Sequence, residues 1–170
     1  MKIKNLVDNT TSFLLKRLSE LIGLALLCLS ILLLASLVSY SPEDPNFIFP
    51  ENAEIKNLLG AKGSYASDIL YQSIGLISLL LPISFIFISL SVIIDKKILH
   101  IIESLFFTIL YSIVGVLFFT VFHTETYWLT INGNNGFLGN LFEETFIINL
   151  INLNHQISYV ILIFLISLFF

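Results

Sequence analysis

A chain of 170 residues is long enough for one soluble domain, but 56% of its residues are hydrophobic and only 12% are charged. Soluble domains average roughly 45–50% apolar and about 25% charged residues, so a soluble core could not bury this much apolar surface. The net charge of −4 argues against a nucleic-acid-binding surface, because such surfaces are basic. The composition therefore favours an integral membrane protein.

The charged residues leave four long gaps in the sequence, over 21–42, 69–94, 104–124 and 145–170. Each gap is long enough for the roughly 20 residues with which a helix crosses about 30 Å of hydrocarbon. We therefore predict an all-α integral membrane protein with four transmembrane helices. The prediction places an N-terminal segment at 1–20, a four-helix membrane domain at 21–170, and spans at about 21–38, 69–94, 104–122 and 157–170.

The basic residues predict the orientation of these helices. Six Lys and Arg residues fall on one side of the predicted membrane and two on the other. The positive-inside rule assigns the more basic side to the cytoplasm, so both termini are predicted to be cytoplasmic. A signal peptide is the alternative for the first apolar run, but the run exceeds the 7–15 residues of a signal core. Cys28, the single cysteine, cannot form an intramolecular disulfide and is predicted to pack as a small apolar residue.

The first predicted helix ends in the stretch Ser39-Tyr40-Ser41-Pro42-Glu43-Asp44-Pro45. A tyrosine suits the headgroup level, where its ring stays apolar and its hydroxyl stays wet. Both prolines end helices, and Ser-Pro-Glu-Asp has the residues of a type I turn. We interpret this stretch as the exit from the membrane into an acidic external loop.

The second predicted helix carries Pro82 near its middle, where a proline removes one backbone hydrogen bond and allows a kink. We interpret this proline as structural rather than as a gate. Gly60 and Gly63 precede the helix and are predicted to shape the loop that enters it. The stretch "DKKILHIIE" is predicted to be a short cytoplasmic hairpin, and Tyr127 with Trp128 is predicted to form an interfacial pair after the third helix.

The last region contains five polar residues between positions 149 and 156, which are costly in lipid. We therefore divide it into an interfacial or partly re-entrant helix from about Leu138 to Leu150 and a transmembrane span that starts near Ile157. This span has few residues before Phe170, so we expect the sequence to be the front of a longer protein.

No catalytic motif stands out in the sequence. "LLGAKGSY" lacks the spacing of a phosphate-binding loop, and there is no G-x-S-x-G nucleophile motif. His123 and Glu125, with His155 on the same predicted side, are the candidates for a metal site, but capping of helix ends is the ordinary interpretation. The predicted spans contain no Asp, Glu, Lys or Arg, which argues against proton-coupled transport. A channel lined by serines stays open as an alternative; the serines are Ser78, Ser84, Ser89 and Ser91.

Several motifs occur together along the chain. S-Y-S-P-x-D-P is followed by Asn57-x-x-Gly60-x-x-Gly63, by Ala66-x-Asp68, and by a helix with Gly75 and Pro82. A third glycine set, Gly133, Gly136 and Gly139, precedes the last helix. The combination resembles the amino-terminal four-helix membrane domain of the FtsK/SpoIIIE family of bacterial DNA translocases over residues 18–170. The sequence departs from the family's GG-x-x-G pattern at Asn135, and its polar stretch over 149–156 is unusual.

The resemblance implies a membrane anchor in the bacterial inner membrane at the division septum. Its implied partners are the lipid bilayer, other septal membrane proteins and further copies of itself. In the family, a cytoplasmic linker and a hexameric ATPase pump DNA, so nucleic acid would be contacted through a C-terminal motor whose motifs are missing here. We therefore predict no enzyme activity and no cofactor for this segment. The candidate docking or family-motif residues are Ser39, Tyr40, Pro42, Asp44, Pro45, Gly60, Gly63, Asp68, Gly75, Pro82, Gly133, Gly136 and Gly139.

Two other functions stay open. One is a stand-alone small membrane channel or transporter component, and the other is an intramembrane enzyme with a metal site at His123 and Glu125. Flux through the purified protein would favour the first, and stoichiometric zinc would be required for the second.

Overall fold

The computed structural model describes residues 2–45, 54–96, 98–123, 129 and 131–170, and for residues 2–9 it describes the backbone alone. Within these residues the chain is helical and contains no strand. The predicted all-α fold is therefore confirmed. The helices are α1 (Lys2–Val38), α2 (Gly60–Ile74), a 3-10 helix (Gly75–Leu79), α3 (Leu80–Asp95), α4 (Leu99–Phe122), α5 (Gly136–Glu143), α6 (Phe146–Asn152) and α7 (His155–Phe169).

In the described part of the chain, three helical stretches are long and apolar enough to cross a membrane, namely Thr10–Val38, Gly60–Asp95 and Leu99–Phe122. A fourth candidate is the pair α6 and α7, which is bent by 115°. The structure thus agrees with a four-helix membrane domain. The proposed cytoplasmic location of residues 1–20 stays a prediction.

Small residues bring α1 and α3 together. Ser19 and Gly23 are four positions apart, so they lie on one face of α1. A Cβ on Gly23 would lie 2.7 Å from Cγ1 of Ile93 and 3.2 Å from the carbonyl oxygen of Ser89. At the same end of the pair, Lys96 Nζ lies 2.8 Å from Glu20 Oε1. The middle of α1 therefore lies beside the end of α3, and the two helices run antiparallel.

The interruption of the second predicted helix lies at Gly75 and not at Pro82. Gly75 has φ 67 and ψ −148, which no residue of an α-helix adopts, and the chain continues as a 3-10 helix before α3. Pro82 lies in the first turn of α3, where a missing amide costs no helical hydrogen bond. The predicted kink at Pro82 was wrong because the helix starts only two residues before it.

The entry to the second helix also differs from the prediction. Gly60 and Gly63 were predicted to lie in a loop, but they form the first turn of α2. The Ser36 hydroxyl donates to the Gly63 carbonyl at 2.7 Å, and the Tyr71 hydroxyl donates to the Leu37 carbonyl at 3.0 Å. Since two positions eight residues apart on α2 contact neighbouring residues of α1, α2 lies across the C-terminal end of α1.

This arrangement leaves the 3-10 helix and α3 to cross the membrane. Together they are about 34 Å long, close to the roughly 30 Å of a hydrocarbon core.

α4 begins at Leu99, five residues before the predicted start at Ser104, so most of the predicted hairpin is helical. Tyr127 and Trp128 lie outside the described residues.

The helices α5, α6 and α7 pack along α4. Rings of α7 meet rings of α4 at both ends: Phe122 and His155 centroids are 4.5 Å apart, and Phe107 and Phe169 centroids are 6.2 Å apart. The helices α4 and α7 are therefore antiparallel.

The helix predicted over Leu138–Leu150 is divided into α5 and α6. α7 begins two residues before the predicted Ile157, since the Asn154 side chain accepts a hydrogen bond from the Ile157 amide at 3.2 Å and caps the helix.

The close contact at Gly23 predicts a sensitivity to side-chain size. Gly23→Leu should lower the free energy of unfolding by about 1–3 kcal/mol, because the added atoms overlap Ile93 and the α3 backbone. Ala25→Leu is the matched control, since Ala25 lies on the exposed face of α1. Unfolding in mixed micelles measures both changes, and equal losses for the two variants would contradict the predicted packing.

Candidate functional site

The predicted exit turn is present at the end of α1. The Asp44 amide donates to the Ser41 carbonyl at 3.1 Å, which closes a turn over Ser-Pro-Glu-Asp. The Asp44 carboxylate is 1% exposed. Its Oδ1 accepts from the Lys56 amide and its Oδ2 from the Asn57 amide, both at 2.8 Å. Asp44 therefore joins the turn to the segment that enters α2.

Asn57 connects the same segment to both helices. Its side chain is almost fully buried, and Nδ2 donates to the Ser36 carbonyl at 2.9 Å. Its Oδ1 accepts from the Leu59 amide at 3.1 Å. A Cβ on Gly63 would lie 2.2 Å from this oxygen. The Asn57-x-x-Gly60-x-x-Gly63 motif thus has a structural basis: the asparagine ties α1 to α2, and Gly63 leaves room for it.

A pair of tyrosines extends this contact. The rings of Tyr40 and Tyr71 have centroids 4.8 Å apart. The Tyr40 hydroxyl donates to Asp68 Oδ1 at 3.2 Å, and Asp68 is 5% exposed. Burial, followed by the charge of Asp68, raises the pKa of Tyr40, so its hydroxyl stays protonated and continues to donate. We call the hydrogen-bonded set of Ser36, Tyr40, Asp44, Asn57, Gly63 and Asp68 the external cluster.

One ion pair lies on the surface of this cluster. Lys56 Nζ contacts Glu43 Oε2, and its hydrogen bond lowers the pKa of Glu43 while Glu43 raises the pKa of Lys56. The stabilisation of the folded state by Glu43 is fully present at pH values above its ordinary pKa, and it is lost as the pH falls through the lowered pKa. The stabilisation by Lys56 is lost as the pH rises through its raised pKa. Both groups are exposed, so salt screens this pair.

The third glycine set lies against the interruption at Gly75. The Leu76 amide donates to the Asn134 carbonyl at 2.9 Å. A Cβ on Gly75 would lie 1.9 Å from that carbonyl oxygen, and a Cβ on Gly136 would lie 2.5 Å from the Gly75 nitrogen. Both glycines have positive φ, 67 and 63, which L side chains rarely adopt. We call this close approach of two backbones the glycine crossing.

Asn135, where the sequence departs from the family pattern, is buried beside this crossing. Its Nδ2 donates to Asn140 Oδ1 at 3.0 Å. A Cβ on Gly139 would lie 2.3 Å from the Asn135 Cβ, so Gly139 makes room for the larger residue. Gly133 has φ 71 and lies in the turn before the crossing. The three glycines thus have different structural roles.

Most candidate docking residues point into the protein rather than to its surface. Asp44, Pro45 and Asp68 are buried, and Pro42 is half-buried. Their docking role stays a prediction. Among the described residues of this loop, the exposed side chains are instead Glu43, Glu54, Ile55, Lys56 and Leu58. Sequence reasoning missed Ser36, whose partner Gly63 is 27 positions away and leaves no local signal.

The four serines proposed as a channel lining do not share one surface. Ser78 and Ser89 are fully buried. Ser84 hydrogen-bonds the Tyr111 hydroxyl at 2.8 Å, and with Ser91 it lines an open cavity of about 350 Å³ between α3 and α4. Other polar residues of the lining are Ser104 and Thr108.

The metal hypothesis rests on Glu125, which lies outside the described residues. Within the described residues, no group of three or more His, Cys, Asp or Glu side chains could hold a metal ion. His123 is the C-cap of α4, and its carbonyl accepts from Asn134 Nδ2 at 2.9 Å. His155 stacks near Phe122 at the start of α7. These two histidines therefore have structural contacts of their own.

Comparison with known proteins gives a consistent result. A family model described as the 4TM region of DNA translocase FtsK/SpoIIIE matches residues 15–170. A DNA translocase FtsK of Rickettsia bellii (strain RML369-C) is 43% identical over 51 residues, which are 30% of this chain and 7% of that protein. A DNA translocase FtsK of Azospirillum brasilense is 36% identical over 76 residues, 44% of this chain and 12% of that protein. The chain thus spans a small part of these relatives, and no solved structure matches it.

The Asp44 contacts predict a stability effect. Asp44→Ala should lower the free energy of unfolding by about 1–3 kcal/mol, because the buried Asn57 amide and the part-buried Lys56 amide lose their acceptor. Asp44→Asn should lower the free energy of unfolding by less, since the carbonyl oxygen of the asparagine side chain can still accept a hydrogen bond from one of the two amides. Glu43→Gln is the control, because it removes a neighbouring acid that is exposed, and it should leave the thermal midpoint unchanged. A midpoint for Asp44→Ala equal to that of the control would contradict the assigned contacts.

The glycine crossing predicts a graded series. Gly75→Ala and Gly136→Ala should each lower the free energy of unfolding by about 2–4 kcal/mol. The strain of a positive φ at an alanine is added there to the overlap of its Cβ with the neighbouring backbone. Gly60→Ala is matched in φ, at 63, but has nothing within 4 Å of the new Cβ. Gly60→Ala should lower the free energy of unfolding by only about 1–2 kcal/mol. Thermal unfolding in detergent ranks the three variants, and a Gly60 variant as unstable as the others would exclude the crossing as the cause.

Proposed function

This chain belongs to the family of the 4TM region of DNA translocase FtsK/SpoIIIE, and from that membership we propose that it is the membrane-anchoring and septum-assembly domain of a DNA translocase. The translocase would act in bacterial cell division and chromosome segregation. The match over residues 15–170 is the observation that carries the proposal. In this function the helices hold the protein in the inner membrane, and the exposed surfaces contact other septal proteins.

The distribution of charge supports an orientation with both termini in the cytoplasm. At one end of the α1 and α3 pair, Arg17 and Lys96 share Glu20 at 2.6 Å and 2.8 Å. At the other end lie the acids of the external cluster. The positive-inside rule assigns the first end to the cytoplasm. α7 runs antiparallel to α4 toward that basic end, so a motor attached after it would lie on the DNA side of the membrane.

The external cluster supports a docking surface by joining the two ends of the loop, at Asp44 and Asn57. Buried hydrogen bonds of Asp44 and Asn57 fix the backbone, and the exposed residues Ile55 and Leu58 are held on its outer side. Leu58 is 75% exposed, although it is a large apolar residue next to a polar loop. Self-association would raise the local concentration of attached motors without any new contact between motor and DNA.

A recruitment experiment tests this proposal. A fluorescent fusion would replace the native copy, and its septal signal and total abundance would be measured together. Ile55→Ser with Leu58→Ser should reduce the septal signal at normal abundance, because these changes alter the surface and leave the cluster intact. Asp44→Ala with Pro45→Ala should reduce abundance itself. Normal septal recruitment of the surface variant would count against docking through this loop.

The cavity beside Ser84 and Ser91 favours a second candidate, a small membrane channel or transporter component. Hydroxyl groups inside a spanning bundle can line a path for water or ions. Purified protein in vesicles should then pass ions or small solutes, and Ser91→Leu should reduce the flux by filling the cavity. Vesicles that stay impermeable would exclude this candidate without affecting the anchoring proposal.

A further inference from the structure

A groove separates the side of α1 from the first turns of α2. It has a volume of about 340 Å³ and opens to the outside of the bundle. The α1 wall extends over about two turns, from Leu29 to Ser36, which places it at hydrocarbon depth beneath the external loop. The α2 wall crosses above it. The lining residues are Leu29, Leu32, Leu33 and Ser36 of α1, with Leu59, Lys62, Gly63 and Ala66 on the other side.

Lys62 is the one charged residue of this lining, and its side chain is exposed. In the described part of the chain, no ion pair involves Lys62: Glu43 pairs with Lys56, and Glu20 pairs with Arg17 and Lys96. Ser36, the other polar residue of the lining, uses its hydroxyl on the Gly63 carbonyl. The groove therefore combines aliphatic walls with a single available cation at its rim.

We propose that this groove is a binding site for an anionic phospholipid. One acyl chain lies against Leu29, Leu32 and Leu33, and the phosphate contacts the Lys62 ammonium at headgroup level. Charge complementarity decides the headgroup, because Lys62 is the one charged residue of the lining and forms no ion pair with any described carboxylate. A lysine at this depth reaches the headgroups with its ammonium while its stem stays on apolar surface.

The size of the groove favours a lipid over a second copy of the chain. Its volume lies at the lower end of the roughly 300–1,000 Å³ typical of small-ligand sites. Two turns of an α-helix about 10 Å in diameter would occupy about 850 Å³. A whole helix of another protomer therefore cannot enter the groove, whereas a segment of one flexible acyl chain can lie in it.

Native mass spectrometry tests the proposal. The full chain would be released from nanodiscs that contain equal amounts of phosphatidylglycerol and phosphatidylcholine, and the bound lipids would be counted. We expect phosphatidylglycerol to be retained in preference to phosphatidylcholine. Lys62→Gln should lower its retention about fivefold, which is the effect of one lysine near an anionic headgroup. Ala66→Leu should also lower retention, because it fills the groove and leaves Lys62 unchanged.

Lys56→Gln is the matched control, since Lys56 belongs to the same external surface but pairs with Glu43 and does not line the groove. It should retain the lipid as the unchanged protein does. Circular dichroism would confirm that each variant stays helical. Equal retention of the two lipids, or full retention by either groove variant, would overturn the proposal. A change in oligomeric state without a change in bound lipid would overturn it in favour of a second copy.

Discussion

The hydrogen bond from the Leu76 amide to the Asn134 carbonyl joins two places where the helices are interrupted. An interrupted helix leaves backbone groups without partners, and hydrocarbon offers none. At this point the Leu76 amide of one interruption and the Asn134 carbonyl of the other are hydrogen-bonded to each other. The two glycines of the crossing let the backbones approach closely enough for the bond to form. The position of α5, and through it the position of α6 and α7, depends on this contact.

The same requirement explains the polar residues at the external end of the bundle. Asp44, Asn57 and Asp68 are buried, but their oxygens and nitrogens have partners in the backbone or in neighbouring side chains. A charged side chain so placed costs little, because charge-assisted hydrogen bonds replace water. The result is an external end that is polar inside and presents apolar and charged residues outside.

α1 has a different relation to its surroundings. Ser19 and Gly23 face the α3 side, and most of the described leucines of α1 are exposed. The Ser30 hydroxyl donates to the Leu26 carbonyl of the same helix at 2.6 Å, so it needs no partner on another helix. An exposed helix of this kind meets lipid along most of its length. A lipid held between α1 and α2 would thus bridge the spanning helix to the external cluster.

The sequence by itself determined the helical class, the apolar stretches and the exit turn after α1. These features depend on local composition: a long uncharged run is helical in a membrane, and Ser-Pro-Glu-Asp favours a turn wherever it occurs. The tertiary structure decided which interruption bends the second helix, because a proline disturbs a helix only beyond the first turn. It also decided that Asp44 and Asp68 lie inside, since their partners Asn57 and Tyr40 come from distant positions. The glycine crossing joins residues about sixty positions apart, and no local pattern records which backbone a glycine will meet.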